Sequence, residues 1–331
     1  MPSAPAPSLI DIVRRLSDRP SLPQSLNLQS VLLAAFITQT DYPVPCEEKA
    51  PEWSTVLDFY GAESKIFYFE RPAELFSSSS PAPVTSEEKE QKSWAIFFVR
   101  PLNDSEGRFK IHFGFSDPSV TSTSRQALLT EFLEALKTTC KGLKVAFGGL
   151  PDGLVDDFEK GSESMDSEGG GKSYKVQKKA GEVASGKILS DRFEKSVVRA
   201  EEMADLLNQG IGKYPVEAFL PLVHLSSCIR DLEDPERRIV SWCFLYEDLS
   251  VAALFTLPTH RGLALASHTV RNYADNIVKA VDRLPIKLRE AVPDVWVAAD
   301  WNDGNPFGQM FFQGEGWELL EEAVRWTRGQ V

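Results

Sequence analysis

The order of strand-like and helix-like runs in the C-terminal half of the chain constrains the fold more than any other feature. A helical run over residues 190–209 precedes three apolar segments of strand length, "LVHLSSCIRD", "RIVSWCFLYE" and "VAALFTLP". A second run, residues 266–281, repeats apolar side chains at helical spacing, and "VPDVWVAADW" then predicts a further strand before a short helix at "NPFGQMFF". The order of helix, three antiparallel strands, helix, strand and helix predicts an α+β domain.

The N-terminal half predicts a second α+β lobe. Three aromatic and β-branched runs, "SKIFYFER", "SWAIFFVRP" and "FKIHFGFS", predict neighbouring strands, of which the last two form a hairpin across residues 103–107. Leucine and phenylalanine at helical spacing then predict an amphipathic helix over residues 123–139. This half shows no catalytic constellation, and His112 is typical of a strand residue.

Two polar stretches divide the chain. Residues 77–92, "SSSSPAPVTSEEKEQK", predict a disordered loop. Residues 159–187 are rich in glycine, serine and charge, which predicts a flexible linker between an N-terminal lobe at 1–158 and a C-terminal domain at 188–331. The "GGGKS" within this linker is not a phosphate-binding loop, because Asp166 stands where that motif needs glycine and no apolar strand precedes it.

Composition excludes several function classes. A formal net charge of −12 argues against a nucleic-acid partner, because phosphate contacts need a basic surface. Without a long apolar run or a secretory signal, we expect no membrane association and a cytoplasmic or nuclear location. The four histidines and four cysteines are scattered, which predicts no metal site and no disulfide framework; the cysteines, read as free buried thiols, are Cys46, Cys140, Cys228 and Cys243.

The turn after the third strand predicts an anion-binding site. The strand ends at Pro258, a turn with arginine and glycine follows, and a helix begins beyond it. N–H groups at a helix start favour anions, and small side chains let a pyrophosphate approach the backbone. A connection with small residues for packing remains an open alternative. The six residues concerned are Arg261, Gly262, Leu263, Ala264, Leu265 and Ala266.

The element order and this turn resemble the GNAT superfamily of acyl-CoA-dependent N-acyltransferases. The coenzyme A loop of that family reads R/Q-x-x-G-x-G/A, and the chain has R-x-x-A-x-A, with Ala264 in place of the central glycine. "SWCFLYEDLSVAALFTLPTHRG" is most similar to the glycine N-acyltransferase-like branch. The resemblance covers about residues 188–325, and the residues that line up with the family's C-terminal motif, N-x-x-S-x-x-L-Y-x-K-x-G-F, are Asn305, Gly308, Phe311, Phe312, Gly314, Gly316 and Trp317.

The resemblance implies a mixed sheet flanked by helices, with the N-terminal lobe a degenerate copy. It also implies that acyl-CoA lies between two parallel strands that splay apart, "VAALFTLP" and "VWVAADW". The backbone of Phe255 and Leu257 would then pair with the pantetheine arm, and Asn302 or Asn305 would bind it near the thiol. Acetyl-CoA or another acyl-CoA is the expected co-substrate, without a metal.

In the family the acceptor amine attacks the thioester directly. A glutamate opens the strand before the turn in the glycine-conjugating branch, and Ser250 stands at that place, so Glu247 and Asp248 are the candidate bases. Both also fit a polar turn with no catalytic role. The family's tyrosine, which protonates the leaving thiolate, aligns with Phe312. Asp300 and Trp301 are candidates for the acceptor pocket, and Trp301 fits the core equally well.

The sequence therefore predicts an N-acyltransferase acting on a small-molecule amine or an amino acid. Two alternatives stay open: a catalytically silent GNAT-like acyl-CoA-binding protein, and a protein lysine acetyltransferase. No oligomeric state and no acyl chain length are predicted.

Overall fold

The computed structural model describes residues 7–18, 23–37, 51–72, 92–102, 108–115, 122–139, 144–151, 164–166, 173–183, 188–210, 215–320 and 324–330. Its helices are α1 Leu9–Ser17, α2 Pro23–Ile37, α3 Trp53–Tyr60, α4 Ser122–Thr139, α5 Met203–Gln209, α6 Leu265–Val281, α7 Ile286–Glu290 and α8 Pro306–Gly314. Its strands are β1 Lys65–Pro72, β2 Lys92–Pro101, β3 Phe109–Phe115, β4 Lys144–Pro151, β5 Ser164–Asp166, β6 Ser173–Lys179, β7 Phe193–Ser196, β8 Ser227–Asp231, β9 Ile239–Leu245, β10 Val251–Thr256, β11 Trp296–Asn302, β12 Glu318–Leu319 and β13 Val324–Gln330.

The described strands form one mixed sheet, which confirms the α+β class. The main path runs β1-β2-β3-β4-β13-β6-β11-β10-β9-β8-β7, with β12 paired to β6 and β5 paired to β13. Along this path β3–β4 and β10–β11 are parallel pairs and the other neighbours are antiparallel. Each parallel pair is joined through a helix, α4 in the first half and α6 in the second, as parallel neighbours require.

The two halves repeat one topology and exchange strands. β1-β2-β3-α4-β4 and β8-β9-β10-α6-β11 have the same order and the same pairing directions, as expected if the N-terminal lobe is a degenerate copy. β6 follows the first half but pairs with β11 and β12, whereas the C-terminal β13 pairs with β4 and β5. Each half therefore contributes a strand to the other half's part of the sheet.

Helices cover the sheet where their apolar faces meet it. In the second half, Tyr273 and Ile277 of α6 pack in one core with Val297 and Trp301 of β11. In the first half, the rings of Phe97 and Phe132 stack with their centroids 3.7 Å apart, which fixes α4 against β2.

Most predicted elements are confirmed, since strands β1–β3, β9–β11 and helices α4, α6 and α8 occur within a few residues of their predicted bounds. The predicted helix over residues 190–209 is wrong in its first half, where β7 pairs with β8. Phe193 packs with Ile229 and Leu265 of other elements, so pairing across the sheet prevails over the helical spacing of the sequence. Only Met203–Gln209 is α-helical, and it ends at Gly210 as predicted.

The predicted flexible linker over residues 159–187 is wrong for residues 164–166, which form β5, and for residues 173–183. Here β6 forms a central strand, and a 3-10 turn follows at Ala180–Glu182. Val176 is fully buried, and the polar Lys175 and Gln177 are buried as well. The polar composition of this strand does not predict its burial, because the charge of Lys175 is neutralised by Asp248 and Asp300, which are remote in sequence. Residues 73–91 lie outside the described residues, and with them nearly all of the predicted loop at 77–92.

Candidate active site

The parallel strands β10 and β11 diverge to form a fork. They pair at one position, Val251 opposite Ala299, although both strands continue beyond it. The ladder between β10 and β9 is interrupted between Ala252 and Phe255, and Ala253 has a left-handed φ of 47°. Such a bulge bends its strand and leaves one residue without a ladder partner. The bulge follows directly after the one position paired with β11, where strands that splay apart are expected to separate.

The backbone groups that face the fork differ from those predicted. Leu257 donates its N–H to the Val240 carbonyl at 2.9 Å, and Phe255 lies opposite Trp242 on β9. Because backbone direction alternates along a strand, both residues direct their peptide groups to β9 and Thr256 directs its own to the fork. The Leu257 N–H is therefore committed to the sheet, which contradicts its predicted contact with a pantetheine arm.

The loop between β10 and α6 brings a helix start beside the fork. After a 3-10 turn at Pro258–His260, Gly262 and Ala264 take left-handed conformations with φ of 81° and 58°. α6 begins at Leu265, and its N-cap residue Ala264 makes no side-chain cap. The first N–H groups of a helix have no intrahelical acceptor, so this start presents donors without a cap. Arg261 is exposed and donates to the Thr256 carbonyl at 3.3 Å, which ties the loop to the end of β10.

His260 anchors this loop. Its Nε2 lies 3.2 Å from Asp231 and its Nδ1 lies 2.9 Å from the Thr259 hydroxyl. Asp231 also accepts hydrogen bonds from Arg192 at 2.6 and 2.9 Å. Both ring nitrogens of His260 are thus used within the protein.

Buried charges surround the base of the fork. Lys175 of β6 lies 3.2 Å from Asp248 and 3.9 Å from Asp300, and both Lys175 and Asp248 are buried. Asp248 also accepts hydrogen bonds from the N–H and hydroxyl of Ser250, at 3.2 and 2.5 Å. Asp248, in the turn between β9 and β10, therefore holds the Lys175 ammonium group beside β11.

Glu247 is held by cations from the N-terminal half. Its Oε1 pairs with Arg100 of β2 and, at 2.6 Å, with Lys110 of β3. Arg100 donates in turn to His112 Nε2 at 3.2 Å, and His112 is a buried strand residue, as the sequence predicts. Burial raises the pKa of Glu247, but the charges of Arg100 and Lys110 outweigh it and bring the pKa to about 2. So weak a base suits a positioning role better than proton abstraction.

Asp300 and Asp248 have opposite pKa shifts. Burial raises both pKa values, but the nearby Lys175 and Lys110 hold the pKa of Asp248 below its ordinary value. At Asp300, burial is the largest effect and raises the pKa; the attraction of Lys175 lowers it and the repulsion of Asp248 raises it again, so the pKa of Asp300 is raised overall. Asp300 is therefore the stronger base of the pair. From the sequence, Asp300 was a candidate for the acceptor pocket but not for the base. The available signal was its position near the end of the predicted strand "VPDVWVAADW".

The residues at the end of β11 and in the segment that follows it have mainly structural contacts. Asn305 caps α8, with its side chain accepting the Gly308 N–H at 3.0 Å and its own N–H donated to the Asn302 carbonyl at 2.9 Å. Asn302 is exposed at the end of β11. Phe312 is buried with its ring centroid 5.0 Å from that of Trp317, and Trp301 is buried against Tyr174. Phe312 and Trp301 thus belong to the core.

Among the described residues no group of three or more histidine, cysteine, aspartate or glutamate side chains could hold a metal ion. Within the same part of the chain no helix has the length and apolar character needed to cross a membrane.

No family model and no curated protein matches this chain. Solved structures do resemble it. A Drosophila protein studied by X-ray crystallography is 13% identical, with 72% of this chain and 79% of that chain covered at a TM-score of 0.49. A tandem GNAT protein from the clavulanic acid biosynthesis pathway is 11% identical, with 94% and 96% covered at a TM-score of 0.44. A GCN5-related N-acetyltransferase from Sphaerobacter thermophilus is 8% identical, with 72% and 80% covered at a TM-score of 0.42. GNAT acetyltransferases are thus among the structures that resemble this chain, and at these values the assignment of its function depends on its own residues.

Proposed function

We propose that the chain is an acyl-CoA-dependent N-acyltransferase that moves an acyl group to the amine of a small molecule or an amino acid. One observation carries the proposal: β10 and β11 pair only at Val251 and Ala299, and the fork beyond this pair leads to the uncapped start of α6. An extended ligand can pair with an open strand edge, and a helix start can bind its phosphates. Coenzyme A combines both features in one molecule.

The residues of the fork suit the parts of coenzyme A in order. The pantetheine arm carries amides, and the Thr256 N–H faces the fork where such an amide would pair, while the Thr256 carbonyl accepts a hydrogen bond from Arg261. The pyrophosphate would lie at the left-handed turn of Gly262 and Ala264, against the free N–H groups of α6. Arg261, held beside this turn by its hydrogen bond to Thr256, adds a positive charge for the phosphates. The short side chains of Ala264 and Ala266 let the ligand approach the backbone.

The chemistry needs a polarised thioester and a neutral amine. In the bulge between Ala252 and Phe255, a residue of β10 lacks a ladder partner, and its N–H can stabilise the oxyanion that forms at the thioester carbonyl. Glu247, Asp248 and Ser250, the candidates from sequence, act here by positioning. They hold Arg100, Lys110 and Lys175 at the base of the fork. The sequence match at "SWCFLYEDLSVAALFTLPTHRG" supports the glycine N-acyltransferase-like branch.

Equilibrium binding of acetyl-CoA and longer acyl-CoAs tests the cofactor site. We expect wild-type protein to bind, and Arg261→Glu to weaken binding by about tenfold or more, which is about 1.4 kcal/mol. Arg289→Glu is the matched control, because Arg289 is also an exposed arginine, lies in α7 and donates from its side chain to the Asp282 carbonyl. Absence of binding to every acyl-CoA, or an equal effect of the two variants, would contradict the proposal.

A second candidate function is acyl-CoA binding without catalysis. Phe312 is buried at the place where the family has its proton-donating tyrosine, so no phenol is available there. Release of the coenzyme A thiol in the presence of small amines, amino acids and lysine peptides separates the two functions. Transfer to small amines supports the first, transfer to peptides alone favours a protein lysine acetyltransferase, and binding without thiol release favours the silent protein.

A further inference from the structure

Among the residues that the structure describes, two buried oxygen atoms near the fork have no hydrogen-bond donor. Asp300 Oδ1 and Gln177 Oε1 are both shielded from solvent and have no hydrogen-bond partner in the part of the chain that the structure describes. The Gln177 residue is 3% exposed. A buried acceptor left without a donor is unfavourable, and such atoms in a folded protein call for a partner. Two of them close together indicate a ligand that brings several N–H groups.

The strand register places the two side chains on one face of the sheet. Asp300 lies opposite Lys175, and Ala298 lies opposite Gln177. Paired residues share a face, and so do residues two apart in a strand, which makes Asp300 and Gln177 diagonal neighbours at about 7–8 Å. One small group between them can contact both. Asp300 directly follows Ala299, the last position paired with β10, so its side chain stands beside the opening of the fork, and Gln177 lies one strand further away, on β6.

The charges here favour a cation. Lys175 stands between two carboxylates, and its shorter contact, 3.2 Å, is with Asp248 rather than Asp300 at 3.9 Å. Lys110, the other cation that acts on Asp300, makes its close ion pair with Glu247. Of the carboxylates of Glu247, Asp248 and Asp300, that of Asp300 therefore makes the longest contact with a cation. An added positive charge is stabilised beside it.

We infer that Asp300 and Gln177 bind the amino group of the acceptor, that this acceptor is a primary alkyl ammonium, and that Asp300 accepts its proton. This inference rests on the proposed function and deepens it. A primary ammonium has three N–H donors, enough for both oxygens with one to spare, whereas a tertiary ammonium has one. An alcohol brings a single donor and no charge.

The proton balance of the step is as follows. The ammonium transfers one proton to the Asp300 carboxylate, and the neutral amine uses its lone pair to form a bond to the thioester carbon. The C–S bond then breaks and the electron pair leaves with sulfur. The second proton lost by the nitrogen reaches the thiolate, the proton on Asp300 passes to solvent, and the products are an amide, free thiol and one proton.

Three Asp or Gln variants test the assignment. Asp300→Asn keeps the size of the side chain but removes the base, and Gln177→Met keeps the length but removes the oxygen. Asp294→Asn is the matched control, since Asp294 pairs with Lys179 on the surface beside the same strand. Acyl-CoA binding, kcat and KM for primary, secondary and tertiary amines, and the pH profile of kcat/KM are measured for each.

We expect all three variants to bind acyl-CoA within about twofold of wild type. Asp300→Asn lowers kcat by about 100-fold or more, the usual contribution of a positioned base. Gln177→Met raises the amine KM by about tenfold with little change in kcat, as loss of one hydrogen bond predicts. The wild-type kcat/KM rises with pH as Asp300 loses its proton in the field of Lys175, Lys110 and Asp248, and Asp300→Asn removes this rise.

The results separate the two proposals. If no acyl-CoA binds to wild-type protein, the proposed function fails and this inference with it. If acyl-CoA binds and amines are acylated but Asp300→Asn keeps wild-type kcat and pH profile, or secondary amines are acylated and primary amines are not, the acceptor assignment alone is overturned. The same holds if Asp300→Asn loses acyl-CoA binding together with activity, because a structural role then explains the loss.

Discussion

Lys175 lies directly opposite Asp300 on antiparallel strands, with its ammonium group 3.9 Å from one carboxylate oxygen of Asp300. The lysine belongs to β6, which follows the N-terminal half in sequence, whereas Asp300 belongs to β11 of the C-terminal half. The exchange of β6 therefore brings a cation into the site at the fork. The two halves of the chain build one site, and neither half holds all of its charged residues.

The ion pair of Lys175 and Asp248 predicts a large change in stability. Both side chains are buried, at 5% and 6% exposure, with 3.2 Å between Nζ and Oδ2. Lys175→Met leaves Asp248 buried without its main cation, and we expect a loss of about 3–5 kcal/mol in the free energy of unfolding. Urea unfolding of the single variants and of the Lys175→Met/Asp248→Asn double variant measures this, and the double variant should recover part of the loss. Losses that simply add would show that the two residues do not interact.

The left-handed turn before α6 predicts that replacing Ala264 or Ala266 by glycine changes the free energy of unfolding differently. Ala264 has a φ of 58°, where a side chain costs about 1 kcal/mol or more, while Ala266 lies within the first turn of α6. We expect Ala264→Gly to change the free energy of unfolding little or to raise it, because relief of strain offsets the greater freedom of glycine in the unfolded chain. Ala266→Gly should lower it by about 1 kcal/mol. Chemical unfolding compares the two, and an equal loss for both would contradict the left-handed turn.

The sequence predicts local elements well and exchanged strands poorly. β9, β10, α6 and β11 were predictable because their apolar spacing and the turns between them lie within one continuous stretch. β6 was not, because "SYKVQKK" has the composition of a linker and Lys175 finds Asp248 only 73 residues further along the chain. Burial of a lysine depends on a carboxylate partner, and the spacing of residues within the strand does not indicate where that partner lies in the sequence.

The same limit applies to the site. Proximity to Ser250 in sequence made Glu247 and Asp248 the candidate bases, but the cations that lower their pKa values come from β2, β3 and β6. Lys110 and Glu247 are 137 residues apart. Asp300 could be placed in the pocket from the end of its strand, but its raised pKa reflects burial and the nearby Asp248, both of which need the folded structure.

Buried thiols predict slow chemical labelling. Cys228 and Cys243 are free and fully buried on β8 and β9, as predicted for these two, while Cys46 and Cys140 lie outside the described residues. Burial raises the pKa of Cys228 to about 12 and that of Cys243 well above its ordinary value. Because the thiolate is the reactive form, neither should react with iodoacetamide in folded protein at pH 8, and both should react in urea. Mass spectrometry of the labelled peptides identifies each site, and rapid labelling of either in folded protein would contradict its burial.

The paired contact of Glu202 with Arg230 predicts a pH-dependent stability. Arg230 donates to both oxygens of Glu202 at 2.9 and 2.8 Å, and the Arg199 N–H donates at 2.9 Å. Burial raises the pKa of Glu202, but these hydrogen bonds prevail and lower it to about 2. A lowered carboxyl pKa stabilises the folded state above the pKa of the unfolded chain, about 4.3, and this stabilisation disappears as pH falls toward the folded value. Glu202→Gln should therefore lower the free energy of unfolding by about 2 kcal/mol near pH 7 and by progressively less from about pH 5 to pH 3, measured by urea unfolding.

Glu201→Gln is the control, because Glu201 is exposed and lies 3.8 Å from Arg199, so its effect should stay within about 0.5 kcal/mol at every pH. A loss in Glu202→Gln that does not vary with pH would show that packing, and not the charge on the carboxylate, stabilises this contact.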